Sequence, residues 1–269
     1  MDRYFRITGL IVAAMAFGSG PASAVDDTPA EESLRATVKI TRGPTSGTGF
    51  FVDATDPDEP KTRRTVLVSA AHVFDDMKGP DCIVVFRGPG PGGTFVRREV
   101  TVSLRNGDKP RWVRHPDVDV AALSVEIPDG VDVKPFAYRQ LADAKWAADR
   151  KVRVGQEVCI PCYPVGIEAN PAGWPVLRQG MIATHPLTPL AAAKTMFVDY
   201  THFRGDSGAP VVSCSGAKPV VVGVVIAMQQ ITTKTVTPFE ERTVHTSLGL
   251  AIAVQSPFIR DTVDLVFKK

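Results

Sequence analysis

The stretch Gly205-Asp206-Ser207-Gly208-Ala209-Pro210, with Val211 and Val212 behind it, sets a serine on a turn at the mouth of a β-branched run. A serine hydroxyl is a poor nucleophile at neutral pH and needs a base within hydrogen-bond reach. A Gly-x-Ser-Gly turn can also bend so that two backbone N–H groups, those of Gly205 and Ser207, converge where an oxyanion would develop. The base has to come from elsewhere in the chain. Ser69-Ala70-Ala71-His72 closes another β-branched run, and imidazole suits proton transfer because its ordinary pKa is about 6.5. A histidine in that role needs an acceptor on its second nitrogen. Asp119-Val120-Ala121-Ala122-Leu123 offers a carboxylate at a strand start, with Asp117 as the rival acid.

Each motif alone is weak. A His after two alanines is most often an ordinary strand-end residue, and Gly, Asp and Ser favour turns for reasons of their own. The combination is specific: the order is His, Asp, Ser, at separations of 47 and 88 positions. That is one of three unrelated chain orders known for such constellations. On these residues the sequence resembles the trypsin-like serine proteases of the bacterial type. It is similar to the protease domains of the high-temperature-requirement group and to the staphylococcal glutamyl endopeptidases. The resemblance runs from about residue 34 to 269. It takes in Ser46-Gly47-Thr48-Gly49-Phe50 of the first hairpin, the His72, Asp119 and Ser207 motifs, and Gly249-Leu250-Ala251-Ile252 before a C-terminal helix.

The resemblance implies an all-β fold of two six-stranded antiparallel β-barrels, chymotrypsin-like, with the site in the cleft between them. It implies an endopeptidase with His72, Asp119 and Ser207 as triad, and Gly205 and Ser207 as oxyanion donors. Thr201, Val225, Ile226, Ala227 and Met228 would contact substrate. The partner is a protein or peptide substrate, and neither cofactor nor metal is expected. A catalytically silent binding relative and a serine esterase are the alternatives built on the same residues. Thr201 stands where enzymes that cleave after Lys or Arg carry an aspartate, and an unpaired buried charge is costly, so a basic specificity is not expected. Met228 stands where a glycine usually opens the pocket, which favours a small or aliphatic side chain before the cleaved bond. His202 and His245 could stand in for the pocket histidine of glutamyl endopeptidases; a satisfied or exposed role suits each better. Val25-Asp26-Asp27-Thr28 does not match the new N-terminus of activated trypsins.

The rest of the chain agrees with a β-rich domain. Hydrophobic residues make up 44% of 269, the formal net charge is +2, and Gly and Pro number 22 each. That composition excludes a collagen-like or disordered chain, and the near-neutral charge gives no footprint for nucleic acid. Short β-branched runs recur between turns from residue 36 to 127 and from 151 to 254, the pattern of a sandwich or barrel. Residues 128–150 read as a connection with a helical turn at 141–146. Ser256-Pro257 opens a helix with one apolar face, Ser as N-cap and Pro as first residue. Residues 1–24 read as a cleaved secretory signal, with a basic start, an apolar run and Ala22-Ser23-Ala24. The run is too short for a bilayer span, so a secreted or periplasmic chain without stable membrane insertion is expected. Residues 25–33 read as a flexible arm.

Cys82, Cys159, Cys162 and Cys214 suit structural disulfides in an oxidising compartment, with three connectivities open. Cys159-Ile160-Pro161-Cys162 sits in a strand-like run, against a redox site, which needs a helix start. Cys82 and Cys214 with a His lack the usual zinc spacing. Asp53–Glu59 reads as a solvated turn in preference to a calcium loop, and His115 and His185 as ordinary histidines.

Overall fold

The structure, a computed structural model, describes residues 26–55, 64–149, 151–237 and 239–268. The signal segment and most of the acidic turn lie outside the described residues. The first half contributes β1 (Thr37–Arg42), β2 (Thr45–Asp53), β3 (Thr65–Ser69), β4 (Asp81–Pro89), β5 (Phe95–Ser103), β6 (Arg105–Asn106), β7 (Lys109–Pro110), β8 (Val113–Arg114), β9 (Ala121–Ser124) and β10 (Phe136–Ala137). The second contributes β11 (Glu157–Cys162), β12 (Val176–Ile182), β13 (Thr195–Asp199), β14 (Pro210–Ser213), β15 (Val220–Val236) and β16 (Glu241–Gln255). Helices are α1 (Pro29–Ala36), α2 (Ala71–Asp76), α3 (Ala144–Ala148) and α4 (Ser256–Phe267).

The second half is the expected closed six-stranded barrel, in the order β11-β12-β13-β16-β15-β14. The first half differs from a closed barrel. It is an eight-stranded sheet in the order β5-β4-β1-β2-β3-β9-β8, with β10 added in parallel to β2. The missing closure lies between β5 and β8. The chain between them folds on itself through Asn106-Gly107 as the β6–β7 hairpin, and β8 is only two residues long. The sheet still wraps a core of its own, with Ile40, Phe51, Leu67, Phe74, Val84 and Phe86 at its centre.

A separate apolar cluster joins the halves. Phe50 and Val52 of β2, Val66 and Val68 of β3, Val212 of β14, Val224 of β15 and Ile259 and Val263 of α4 are buried together. β2 therefore buries both faces, Phe51 into the first core and Phe50 into the joint, which is why Phe50-Phe51-Val52 is continuous and not alternating. α4 matches the expected helix in span but not in its cap. Gln255 is the N-cap residue; its side-chain amide donates to the carbonyls of Leu187 and Ala193, while Ser256 Oγ is buried without a partner among the described residues.

Residues 26–33, expected as an arm, carry most of α1. Thr28 and Glu31 form a reciprocal capping box and Pro29 opens the helix, a signal that the acidic composition of this segment hid. Arg87 anchors the junction of α1 and β1. Its side chain is buried and donates to the carbonyls of Thr37, Arg35 and Asp132, and its guanidinium lies 4.5 Å over the Trp174 ring. Arg87→Leu takes the buried donor from the Thr37 and Asp132 carbonyls and leaves Arg35 with the Lys134 N–H at 3.4 Å. We expect a loss of about 2–4 kcal/mol, read as a lower urea midpoint at unchanged slope.

Candidate active site

Antiparallel pairing brings the first two residues together. Ser69 at the end of β3 faces Ala121 at the start of β9, so the residues just after β3 and just before β9 pass the same end of the sheet. The chain turns at Ala70 into α2, and the Ala71 N–H donates to the Asp119 carbonyl at 3.3 Å. Ala70 and Ala71 are fully buried, which is the packing reason for two alanines there. His72 then meets Asp119 twice: its backbone N–H donates to Oδ1 at 3.0 Å, and Nδ1 lies 2.6 Å from Oδ2. That hydrogen bond raises the His72 pKa against the opposing effect of burial, with Asp119, Asp76 and Asp75 adding charge. Burial alone would raise the Asp119 carboxyl. The hydrogen bonds and charge of His72, with Arg114 behind them, hold it below its usual range. Asp117 is not the partner of His72; it is exposed and pairs with Lys194 at 3.3 Å.

Ser207 is presented by a hydrogen-bonded turn. Ala209 N–H donates to the Asp206 carbonyl at 2.9 Å, Gly208 N–H to Val225 at 2.8 Å, and Val225 N–H back to Ala209 at 2.9 Å. Gly205 and Gly208 have φ of +96° and +89°, a region that side chains disfavour. A Cβ at Gly208 would also collide with the Thr48 carbonyl and Ser69 Oγ, and one at Gly205 with the Tyr163 carbonyl. Val165 N–H donates to the Arg204 carbonyl at 2.6 Å. The trans peptide then directs the Gly205 N–H away from Val165. Val165 holds this contact at φ +52°, among the described residues the one non-glycine on that side of the map.

Thr48 binds the turn to the first half, a role that sequence reasoning missed. Its N–H donates to the Ser207 carbonyl at 2.9 Å, and its hydroxyl donates to the Gly205 carbonyl at 2.7 Å. The same hydroxyl accepts from Tyr163 N–H at 3.2 Å, and the Thr48 carbonyl accepts from Ser69 Oγ at 2.7 Å. The Ser-Gly-Thr-Gly-Phe motif pointed to this hairpin but not to a buried hydroxyl bridging the two halves. His72, Gly205 and Ser207 line one cleft of about 410 Å³, together with Thr45, Ser46 and Arg204. Ser207 and His72 share it without a hydrogen bond between them, as is common before substrate tightens such contacts.

Of the residues expected at substrate, Thr201 is exposed, Ile226, Ala227 and Met228 are half-buried, and Val225 is buried in the second core. His202 departs from expectation. It is buried, and neither ring nitrogen has a partner among the described residues. Burial, with the charges of His72 and Arg178, pushes its pKa down to about 4. His245 is exposed, with Nδ1 2.9 Å from Thr232 Oγ1. Asp206 is buried; one oxygen accepts from Phe203 N–H at 2.8 Å and lies 3.9 Å from Arg178, and the other has no hydrogen-bond partner among the described residues.

All four cysteines are free thiols. Cys159 and Cys162, three apart on β11, face opposite sides of the strand, so they cannot pair with each other. Cys82 lies in the first core and Cys162 in the second, whereas Cys159 and Cys214 line the same shallow surface pocket. No group of three or more His, Cys, Asp or Glu among the described residues could hold a metal ion.

The His72–Asp119 contact predicts an NMR titration. The His72 ring should titrate above the ordinary imidazole value, fall back in Asp119→Asn, and stay put in Asp117→Asn. An unshifted His72 in the wild type would contradict the geometry.

A family model described as a trypsin-like peptidase domain matches residues 47–224. Among solved structures, the inactive form of a serine-to-alanine mutant of Rv3671c from M. tuberculosis H37Rv is 18% identical, with 93% of this chain and 95% of that one covered at a TM-score of 0.48. No curated protein matches the chain. With more than half of its length matched, and His72, Asp119 and Ser207 all inside the match, the protein belongs to the trypsin-like peptidase domain family.

Proposed function

We propose that the chain is an exported serine endopeptidase acting through His72, Asp119 and Ser207. The observation that carries this reading is the 2.6 Å contact of His72 Nδ1 with Asp119, in a cleft that His72 shares with Ser207 and Gly205. A proton held on Nδ1 by the carboxylate leaves the Nε2 lone pair free to accept the Ser207 proton. Ser207 Oγ then adds to the peptide carbonyl, and the oxyanion accepts from the N–H groups of Gly205 and Ser207. His72 passes its proton to the departing amine, and water, activated by the same ring, hydrolyses the acyl-enzyme. Thr201 provides no carboxylate for a basic side chain, and Met228, three residues beyond Val225 on β15, favours a small or aliphatic residue before the cleaved bond.

Labelling by a fluorophosphonate probe tests this directly. Wild type should label and Ser207→Ala should not; a wild type that stays unlabelled where a control protease reacts overturns the proposal. The labelling rate should fall as the pH drops through the raised His72 pKa, because only the neutral ring accepts the proton. Asp119→Asn should cost about 10⁴-fold in kcat. Thr48→Val should slow labelling by about tenfold or more, since it frees the Gly205 carbonyl, while Thr48→Ser keeps the rate.

Export rests on residues 1–24 and agrees with the cysteines. Contact with Cys214 draws the Cys159 thiol down to about 7, a range in which thiolate is available to form a disulfide. The exported protein should begin at Val25 by intact mass and show a Cys159–Cys214 bond in a non-reducing peptide map, with Cys82 and Cys162 alkylated as free thiols. A start at Met1 would remove the signal reading, and a bond to Cys82 or Cys162 would remove the pairing.

A further inference from the structure

β15 and β16 run far beyond the barrel that holds their bases. β14 accompanies β15 only over Val220–Val224, and β13 accompanies β16 only over Leu250–Val254. Past these points the two strands continue alone, pairing Gln230 with Ser247 through to Val236 with Glu241. The result is an exposed ribbon of seven residue pairs, about 23 Å long at the usual rise per residue. Its cross-strand pairs Ile231–Thr246 and Thr233–Val244 place Ile231, Thr233, Val244 and Thr246 on one face. Ile231 is 54% exposed there. Two-stranded ribbons are marginal in water, and open edges invite pairing. Along Ala227–Val236 there is no proline and a single charge, Lys234. Among the described residues, that stretch makes backbone bonds only to β16.

The position of this open edge gives it a use. Val225, the last β15 residue bonded on that side, exchanges both of its backbone hydrogen bonds with Gly208 and Ala209 of the Ser207 turn. The free edge therefore starts beside Ser207 and leads away from it for about ten residues, or about 30 Å. A polypeptide adding antiparallel to β15 would run against the strand. Its C-terminal end would lie at Ser207 and its N-terminal part out along the ribbon.

We propose that the β15 edge beyond Met228, from Gln229 to Val236, lengthens the substrate contact expected at Ile226–Met228 into a docking rail for the extended polypeptide that precedes the cleaved bond, so that the protein favours unfolded chains with a long unstructured stretch on that side. The recognition is β-strand addition: main-chain hydrogen bonds hold the substrate, and the Ile231–Val244 face accepts alternate apolar side chains. The proposal rests on the peptidase reading, and its test separates the two.

The assay uses β-casein, plus synthetic peptides built on the main bond cut in it. These keep four residues after the bond and either four or fourteen before it. In wild type, the longer peptide should gain about tenfold or more in kcat/KM, as remote binding does when it is expressed at the reacting centre. A peptide lengthened only after the bond should gain nothing. Replacing residues 230–247 by Asn-Gly, a two-residue hairpin turn, should abolish the gain and slow casein cleavage. Cleavage of the short peptide and fluorophosphonate labelling should stay within about twofold. If the shortened chain does not fold, Ile231→Asp combined with Thr233→Pro is read by the same criterion. An equal gain in the altered chains overturns the rail. So does a ribbon whose removal turns a dimer into a monomer and leaves casein cleavage unchanged, since its occupant is then a second copy. Wild type that labels but shows no preference for length before the bond defeats the rail alone. Wild type that does not label defeats the peptidase reading and the rail with it.

Discussion

The two halves of the molecule meet where no side chain fits. The Thr48 carbonyl lies against the Cα of Gly208, so that a Cβ there would overlap both Thr48 and Ser69. This steric limit makes the Ser207 turn a shared possession of the two halves. The Ser207 and Gly205 carbonyls are held from the first half by Thr48, while the Gly208 N–H is held from the second by Val225. A relative shift of the halves by a fraction of an ångström would break one set or the other. The apolar joint resists such a shift. Phe50 and Val52 are buried against Val212, Val224 and α4, and a buried Phe of this kind is worth about 3–5 kcal/mol when truncated to Ala. The same strand, β2, thus supplies Thr48 to the turn and Phe50 to the joint two residues on.

Legibility in the sequence divides between the motifs and the contacts that join them. Turn chemistry and β-branched runs located most strands, and the His72, Asp119 and Ser207 motifs lie at strand ends as their flanking residues required. The contacts that bind the motifs together were not legible. Thr48 reads as one more β-branched residue of a hairpin, because its value comes from Gly205 and Tyr163, more than 110 positions away. Val165 carries no marker at all, since a β-branched residue such as valine is poorly suited to a positive φ. The open first sheet escaped the pattern because closure depends on whether β5 and β8 are long enough to meet, and periodicity does not report pairing. α1 was masked by composition: Asp26, Asp27, Glu31 and Glu32 look like solvated coil until Thr28 and Glu31 are read as a cap. The length of β15 is not legible either, because Gln229 and Gln230 interrupt the apolar pattern without ending the strand.

Among the described residues, unsatisfied polarity gathers at the Arg35–Arg87–Asp132 junction and in the segment that ends at Asp206. Tyr200 Oη, both nitrogens of His202 and one oxygen of Asp206 are buried without partners among the described residues, all within the seven residues that end at Asp206. Each such group costs about 1–3 kcal/mol. A cluster of that kind persists only where surrounding structure over-determines it. Here the closed barrel, the Arg178 guanidinium 5.3 Å from the Tyr200 ring and 5.2 Å from the Phe203 ring, and the Thr48 clamp supply that rigidity. These contacts hold the segment in place.

The site and the ribbon divide β15 between two physical regimes. Up to Val225 the strand is buried, with bonds on both edges, and its free energy goes into fixing the Ser207 turn. Beyond Met228 it has one bonded edge and mostly exposed side chains, with little to hold it rigid apart from its pairing to β16. A strand that only had to close a barrel would stop at the bulge between Val225 and Ala227, where its register with β16 shifts. It continues instead to Val236 with threonine, isoleucine and valine, residues that favour an extended backbone. The backbone direction set at Val225 by the Ser207 turn is the direction in which the free edge extends. The geometry that presents Ser207 therefore also fixes which end of a bound chain can lie along the ribbon.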